Sequence, residues 1–69
     1  MTIAEQIKAA RTMAGWSQER LARHLGVAAN TVAVQERGEV AWTAGTVWPD
    51  NLYTRTLRKW IEEVEETSP

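Results

Sequence analysis

Glycine falls at positions 15, 26 and 38, each time directly after a stretch whose apolar residues recur at helical spacing. That spacing belongs to a helix with one buried face, and a glycine just past the last periodic residue is a helix stop. Up to Gly38 the chain therefore reads as three short helices joined by tight turns. Thr2 followed by Glu5 forms a capping box, and Ile3, Ile7, Ala10 and Ala14 share one stripe, which predicts a first helix over about Ile3 to Ala14. Ser17 is placed to cap a second helix, about Gln18 to Leu25, with Trp16 and Leu21 at the two positions of a hydrophobic staple. A third helix runs from about Ala28 or Ala29 to Arg37 before Gly38 ends it.

The pattern is harder to read beyond Gly38. Val40, Trp42, Val47 and Trp48 surround a Thr43-Ala44-Gly45-Thr46 stretch that suits either an irregular loop or a short β-hairpin, with the irregular form expected. Pro49 fits the first turn of a helix, and Tyr53, Leu57, Trp60, Ile61 and Val64 then fall on one arc, predicting a final helix over about Pro49 to Glu66. The expected architecture is all-α, a small helical bundle. It forms a single unit over residues 1–69, with a helix–turn–helix core at 17–38, an insertion at 39–48 and a C-terminal helix at 49–66.

With 69 residues there is room for one core of modest size. The sequence has no cysteine and one histidine, His24, so neither a disulfide framework nor a metal site of its own is expected. No apolar run approaches the length of a membrane span, and the N-terminus lacks the basic-then-apolar order of a signal peptide. A soluble cytoplasmic chain without cofactor is the expectation. An enzyme has no support, because no nucleophile stands with a base and no glycine-rich loop is built to cradle a phosphate.

Charge is unevenly placed. Residues 1–38 carry Lys8, Arg11, Arg20, Arg23 and Arg37 against Glu5, Glu19 and Glu36, a net of +2. Residues 39–69 carry Arg55, Arg58 and Lys59 against Glu39, Asp50, Glu62, Glu63, Glu65 and Glu66, a net of −3. This fits a molecule with one side for phosphates and one for water, or simply ordinary solvated helix faces. Four tryptophans in so short a chain invite the thought of a ligand pocket, but aromatics at helical spacing more often build a core or a dimer contact.

The densest pattern lies between Gln18 and Gly38: Gln18, Leu21-Ala22, Leu25-Gly26-Val27, Thr31-Val32 and Glu36-Arg37-Gly38. A sharp turn between two helices needs a residue tolerant of positive φ at Gly26, and their close crossing needs the small side chain of Ala22. Leu21, Leu25, Val27 and Val32 seal the corner from within. Over about residues 3 to 38, including Arg11 and Gly15-Trp16-Ser17-Gln18, the chain closely resembles the Xre/Cro family of phage and bacterial repressors. That resemblance implies a lambda-repressor-like DNA-binding domain whose third helix enters the major groove.

On that helix Ala29, Asn30, Ala33, Val34 and Arg37 share an arc turned away from Val32 and Gln35. By resemblance, Ala29, Asn30 and Val34 hold positions that touch base edges. Asn30 can pair with adenine, whereas Ala29, Ala33 and Val34 offer apolar contact to thymine methyls. Asn30 has an alternative role as a cap of the third helix, because Ala28 has no side chain to serve. Phosphate contacts are expected from Ser17 and Gln18 at the start of the second helix, and from Arg37. The resemblance also implies an ion pair between Arg11 and Glu36. Lys8, Arg20, Arg23 and His24 are expected at the solvated surface.

Gln35 occupies an inward position where the family commonly places an apolar residue, so it must find a hydrogen-bond partner or face water. A single module of this size buries little surface on DNA, and the resemblance implies a homodimer on an inverted repeat. Trp42, Trp48 and Trp60 are the candidate dimer or partner surface. The competing functional expectation is a protein-interaction module, antitoxin-like or antirepressor-like, that keeps the fold without strong DNA binding.

Overall fold

A computed structural model describes residues 1–67, and its helices begin where local chemistry can satisfy their first N–H groups. Positions 68 and 69 of the expected 1–69 unit lie outside the described residues. Helix α1 (Ile3–Ala14) opens on the full Thr2/Glu5 box: the Thr2 N–H donates to Glu5 Oε1 at 2.8 Å and the Glu5 N–H donates to Thr2 Oγ1 at 3.2 Å. The Thr2 N–H holds the Glu5 carboxyl below its usual range. Helix α2 (Gln18–Leu25) opens on Ser17, whose Oγ accepts from the Arg20 N–H at 3.1 Å. Both lie where the sequence put them.

Helix α3 (Ala29–Glu36) follows α2 after the three-residue turn Gly26-Val27-Ala28. Gly26 stands at φ 74°, a region that a side chain at Cβ disfavours, and the Val27 N–H donates back to the Ala22 carbonyl at 2.9 Å. This turn sets α2 and α3 at the angle of a helix–turn–helix corner.

The segment expected to be irregular contains a short helix instead. Helix α4 (Ala41–Ala44) starts at Val40, whose carbonyl accepts from the Thr43 N–H at 2.9 Å and from Thr43 Oγ1 at 2.7 Å. Thr43 is fully buried, so its hydroxyl is satisfied locally rather than by a partner strand. No β-strand forms among the described residues.

Helix α5 (Leu52–Thr67) begins three residues later than the expected Pro49. Asn51 Oδ1 accepts from the Thr54 N–H at 2.9 Å, and Thr54 Oγ1 accepts from the Asn51 N–H at 3.3 Å. This is a capping box with threonine in the reciprocal position, and the Thr54 hydroxyl also donates to the Pro49 carbonyl, tying the lead-in segment to the helix.

The core is formed by Ile3, Ile7 and Ala10 of α1, Leu21 and Ala22 of α2, Val32 of α3, and Leu57, Trp60 and Ile61 of α5. Burying each of the larger side chains contributes about 1.5–3 kcal/mol. Helix α1 lies at the centre, against α3, α4 and α5, while α2 packs on α3 and α5. The Ile3 N–H donates to the Gly45 carbonyl at 2.8 Å and pins the end of α4 to the start of α1.

Gln35, 4% exposed, finds the partner it needs in the Tyr53 hydroxyl, which donates to its Oε1 at 3.0 Å. That bond links the inner side of α3 to α5. Burial pushes the Tyr53 phenol above its ordinary value of 10.0. A raised folded-state value means that this contribution to stability is complete below the unfolded phenol's value and is lost as pH rises through the folded one. We expect alkaline urea titrations above about pH 10 to show falling stability. Tyr53→Phe, less stable at neutral pH, should flatten the alkaline slope.

Candidate nucleic-acid interface

Helix α3 is oriented by an ion pair at its C-terminal end. Arg11 Nε donates to Glu36 Oε2 at 2.6 Å and Nη2 donates to Oε1 at 3.0 Å, a two-point contact that fixes both distance and angle between α1 and α3. The remaining guanidinium nitrogen, Nη1, donates to the Trp16 carbonyl at 2.8 Å, holding the chain just before α2. The Glu36 side chain is 4% exposed and that of Arg11 17%. The bond to Glu36 raises the Arg11 guanidinium further above its ordinary value.

From this anchor α3 presents Asn30 and Arg37 to solvent, with Ala33 and Val34 half-buried between them. Ala29 departs from the expected outward arc: it is half-buried and packs against the core, because the first turn of α3 leans onto the helix–turn–helix corner. The capping alternative for Asn30 does not occur, since no side chain caps α3. Its amide makes no side-chain hydrogen bond to the described residues. An exposed carboxamide with a donor and an acceptor both free is what pairing to a base edge requires.

Ser17 and Gln18 mark the second part of the surface. With Ser17 Oγ engaged by Arg20, the N–H groups of Gln18 and Glu19 have no partner among the described residues, and the positive end of α2 is directed outward there. The Gln18 side chain turns inward, its Nε2 lying 3.4 Å from Glu36 Oε1, a long bond at the edge of the Arg11–Glu36 pair. Arg37 forms an exposed ion pair with Glu39, which raises its guanidinium.

The tryptophans divide. Trp60, expected on a partner surface, is 5% exposed and belongs to the core, its ring 5.1 Å from that of Trp16. Trp42 and Trp48 are half-buried, 6.3 Å apart, and Trp42 also meets Tyr53 edge-on at 6.4 Å. Arg20 is exposed as expected, but its guanidinium lies 4.3 Å over the Trp16 ring. His24 is exposed with its ring against Trp16 at 5.5 Å. Together with Met13, Trp60, Glu63 and Val64 these two line an open groove of about 610 Å³.

Three contributors escape a sequence reading. Tyr53 appeared only as part of a core stripe, and its hydroxyl gave no sign of reaching Gln35. Glu39 appeared only as one acid in an acidic half, although the glycine stop at 38 folds positions 37 and 39 toward each other. Asn51 was hidden behind Pro49.

A family model described as helix-turn-helix matches residues 7–48, more than half of the chain. Searches of curated proteins and of solved structures return no match. No helix among the described residues is long and apolar enough to cross a membrane. The corner made by α2 and α3, the exposed arc of α3 and the match over residues 7–48 agree, and the chain belongs to the helix-turn-helix family of Xre/Cro type, whose members are non-enzymatic DNA-binding regulators of transcription.

Proposed function

We propose that this chain is a sequence-specific repressor that lays α3 into the major groove of double-stranded DNA and acts as a cytoplasmic homodimer on an inverted-repeat operator. The observation that carries this reading is the free, exposed amide of Asn30 on a helix whose angle is fixed by the Arg11–Glu36 pair. Asn30 pairs with the edge of adenine, and Ala33 and Val34 meet thymine methyls, with Ala29 at the inner margin. Ser17, the unpartnered N–H groups of Gln18 and Glu19 at the start of α2, and Arg37 take backbone phosphates. With one polar base-reading side chain, DNA shape carries much of the selectivity.

The second copy docks against the segment around Trp42 and Trp48, where Val47 and Leu52 stand 83% and 79% exposed. The same exposed apolar side chains favour the second reading, a protein-interaction module whose partner is a different chain. Selection of bound sequences from random duplex DNA separates the two. Enrichment of an inverted repeat supports the repressor, and no enrichment supports the interaction module. On the selected duplex, Asn30→Ala should relax preference at one base pair by about 1–3 kcal/mol. Because Asn30 makes no internal side-chain bond, the thermal midpoint of that variant should stay unchanged.

A further inference from the structure

We infer that Glu39 restrains DNA affinity by holding Arg37, so that a backbone phosphate must displace a carboxylate to reach the guanidinium. The inference rests on the DNA-binding reading above and adds a residue that sets how much of the binding is independent of sequence.

Glu39 has a fixed address. Its N–H donates to the Val34 carbonyl at 3.1 Å, the Gly38 N–H donates to the Gln35 carbonyl at 3.1 Å, and Gly38 stands at φ 73°. These two bonds are the paired closure of a helix by a left-handed glycine, and they place position 39 beside the last turn of α3 whatever its side chain. The carboxylate is therefore carried on the closing turn just past the recognition helix and faces Arg37 across the glycine. The two form an ion pair, each side chain 56% exposed.

Stability does not explain an acid at this place. The C-terminal end of a helix favours cations, and an exposed ion pair contributes little. Beside a DNA backbone, however, the effect of Glu39 is direct. Arg37 alone adds one positive charge to the contact, whereas Arg37 with Glu39 adds none, and any phosphate approaching the guanidinium also approaches a carboxylate. The restraint falls on the backbone contact and leaves the Asn30 amide free. The loss of backbone affinity falls on operator and random DNA alike, because a bound phosphate carries no sequence information.

The test is Glu39→Gln, measured on a random-sequence duplex and on a duplex enriched by selection, across a salt series. The variant should bind both about 3- to 5-fold more tightly at low salt, the size of an exposed pair. Its plot of log affinity against log salt should steepen by about 0.9, one added phosphate contact. In an Arg37→Ala background the same change should give a clearly smaller gain, the part left by the carboxylate's own repulsion of phosphate, and thermal melts should show all variants folded. Equal affinity and slope for wild type and Glu39→Gln, or an undiminished gain without Arg37, overturns the inference while the DNA reading stands. Duplex binding by neither protein overturns both.

Discussion

Glu36→Ala should lower the unfolding free energy by about 3–5 kcal/mol, an effect out of proportion to the loss of one surface-class ion pair. The size follows from what is left behind. Glu36 is 4% exposed and satisfies two guanidinium nitrogens of Arg11, itself 17% exposed, so the variant retains a largely buried cation with no counter-charge. Because Arg11 keeps some access to water and its bond to the Trp16 carbonyl, the loss should fall toward the lower part of that range. Urea unfolding followed by tryptophan fluorescence reads it directly. The double change Arg11→Met with Glu36→Met should recover much of the loss, since most of the deficit belongs to the orphaned charge and not to the missing attraction. A single variant within about 1 kcal/mol of wild type would show that solvent already screens the pair. DNA binding should suffer even where the fold survives, because the two-point contact sets the angle at which α3 leaves the body of the protein.

What could be read in the sequence was whatever is decided locally. The ends of α1 and α2 are set by Thr2, Glu5, Ser17 and the glycines after them, all within a few residues of the bonds they make, and the spacing from Gln18 to Gly38 specifies the corner. Helix α4 was not readable because four residues cannot display a period, and its start depends on a threonine hydroxyl returning to Val40. The start of α5 was misplaced because Pro49 and Asn51 both carry helix-start chemistry, and only the Asn51–Thr54 exchange decides between them. Gln35 announced that it needed a partner but could not name Tyr53, which tertiary packing alone brings near. At the interface the positions of Asn30 and Arg37 followed from periodicity, whereas the inward lean of Ala29 and the capture of Arg37 by Glu39 depend on how the ends of α3 close.

Trp60 is where two expectations from the same sequence collided, and its removal gives the second large effect. The stripe Tyr53, Leu57, Trp60, Ile61 and Val64 puts it on the inner side of α5, yet a tryptophan at an edge of the final helix also suggests a docking surface. At 5% exposure, with its ring 5.1 Å from Trp16 and in the same cluster as Leu57 and Ile61, it is a structural side chain. Trp60→Ala should therefore cost about 3–5 kcal/mol, the lost transfer of the indole plus the cavity it leaves. In a domain of this length, whose whole stability is on the order of several kcal/mol, that leaves a substantial unfolded population at ambient temperature. The two roles predict different dependence on protein concentration. A core role lowers helicity and the thermal midpoint equally in dilute and concentrated samples, whereas a dimer-contact role would leave the dilute monomer intact and shift only its association. Trp48→Ala, which removes a half-buried ring next to the exposed Val47, serves as the comparison and should cost the fold less. A dilute Trp60→Ala sample that melts like wild type would return Trp60 to the surface and the α1–α2–α5 junction to a different packing.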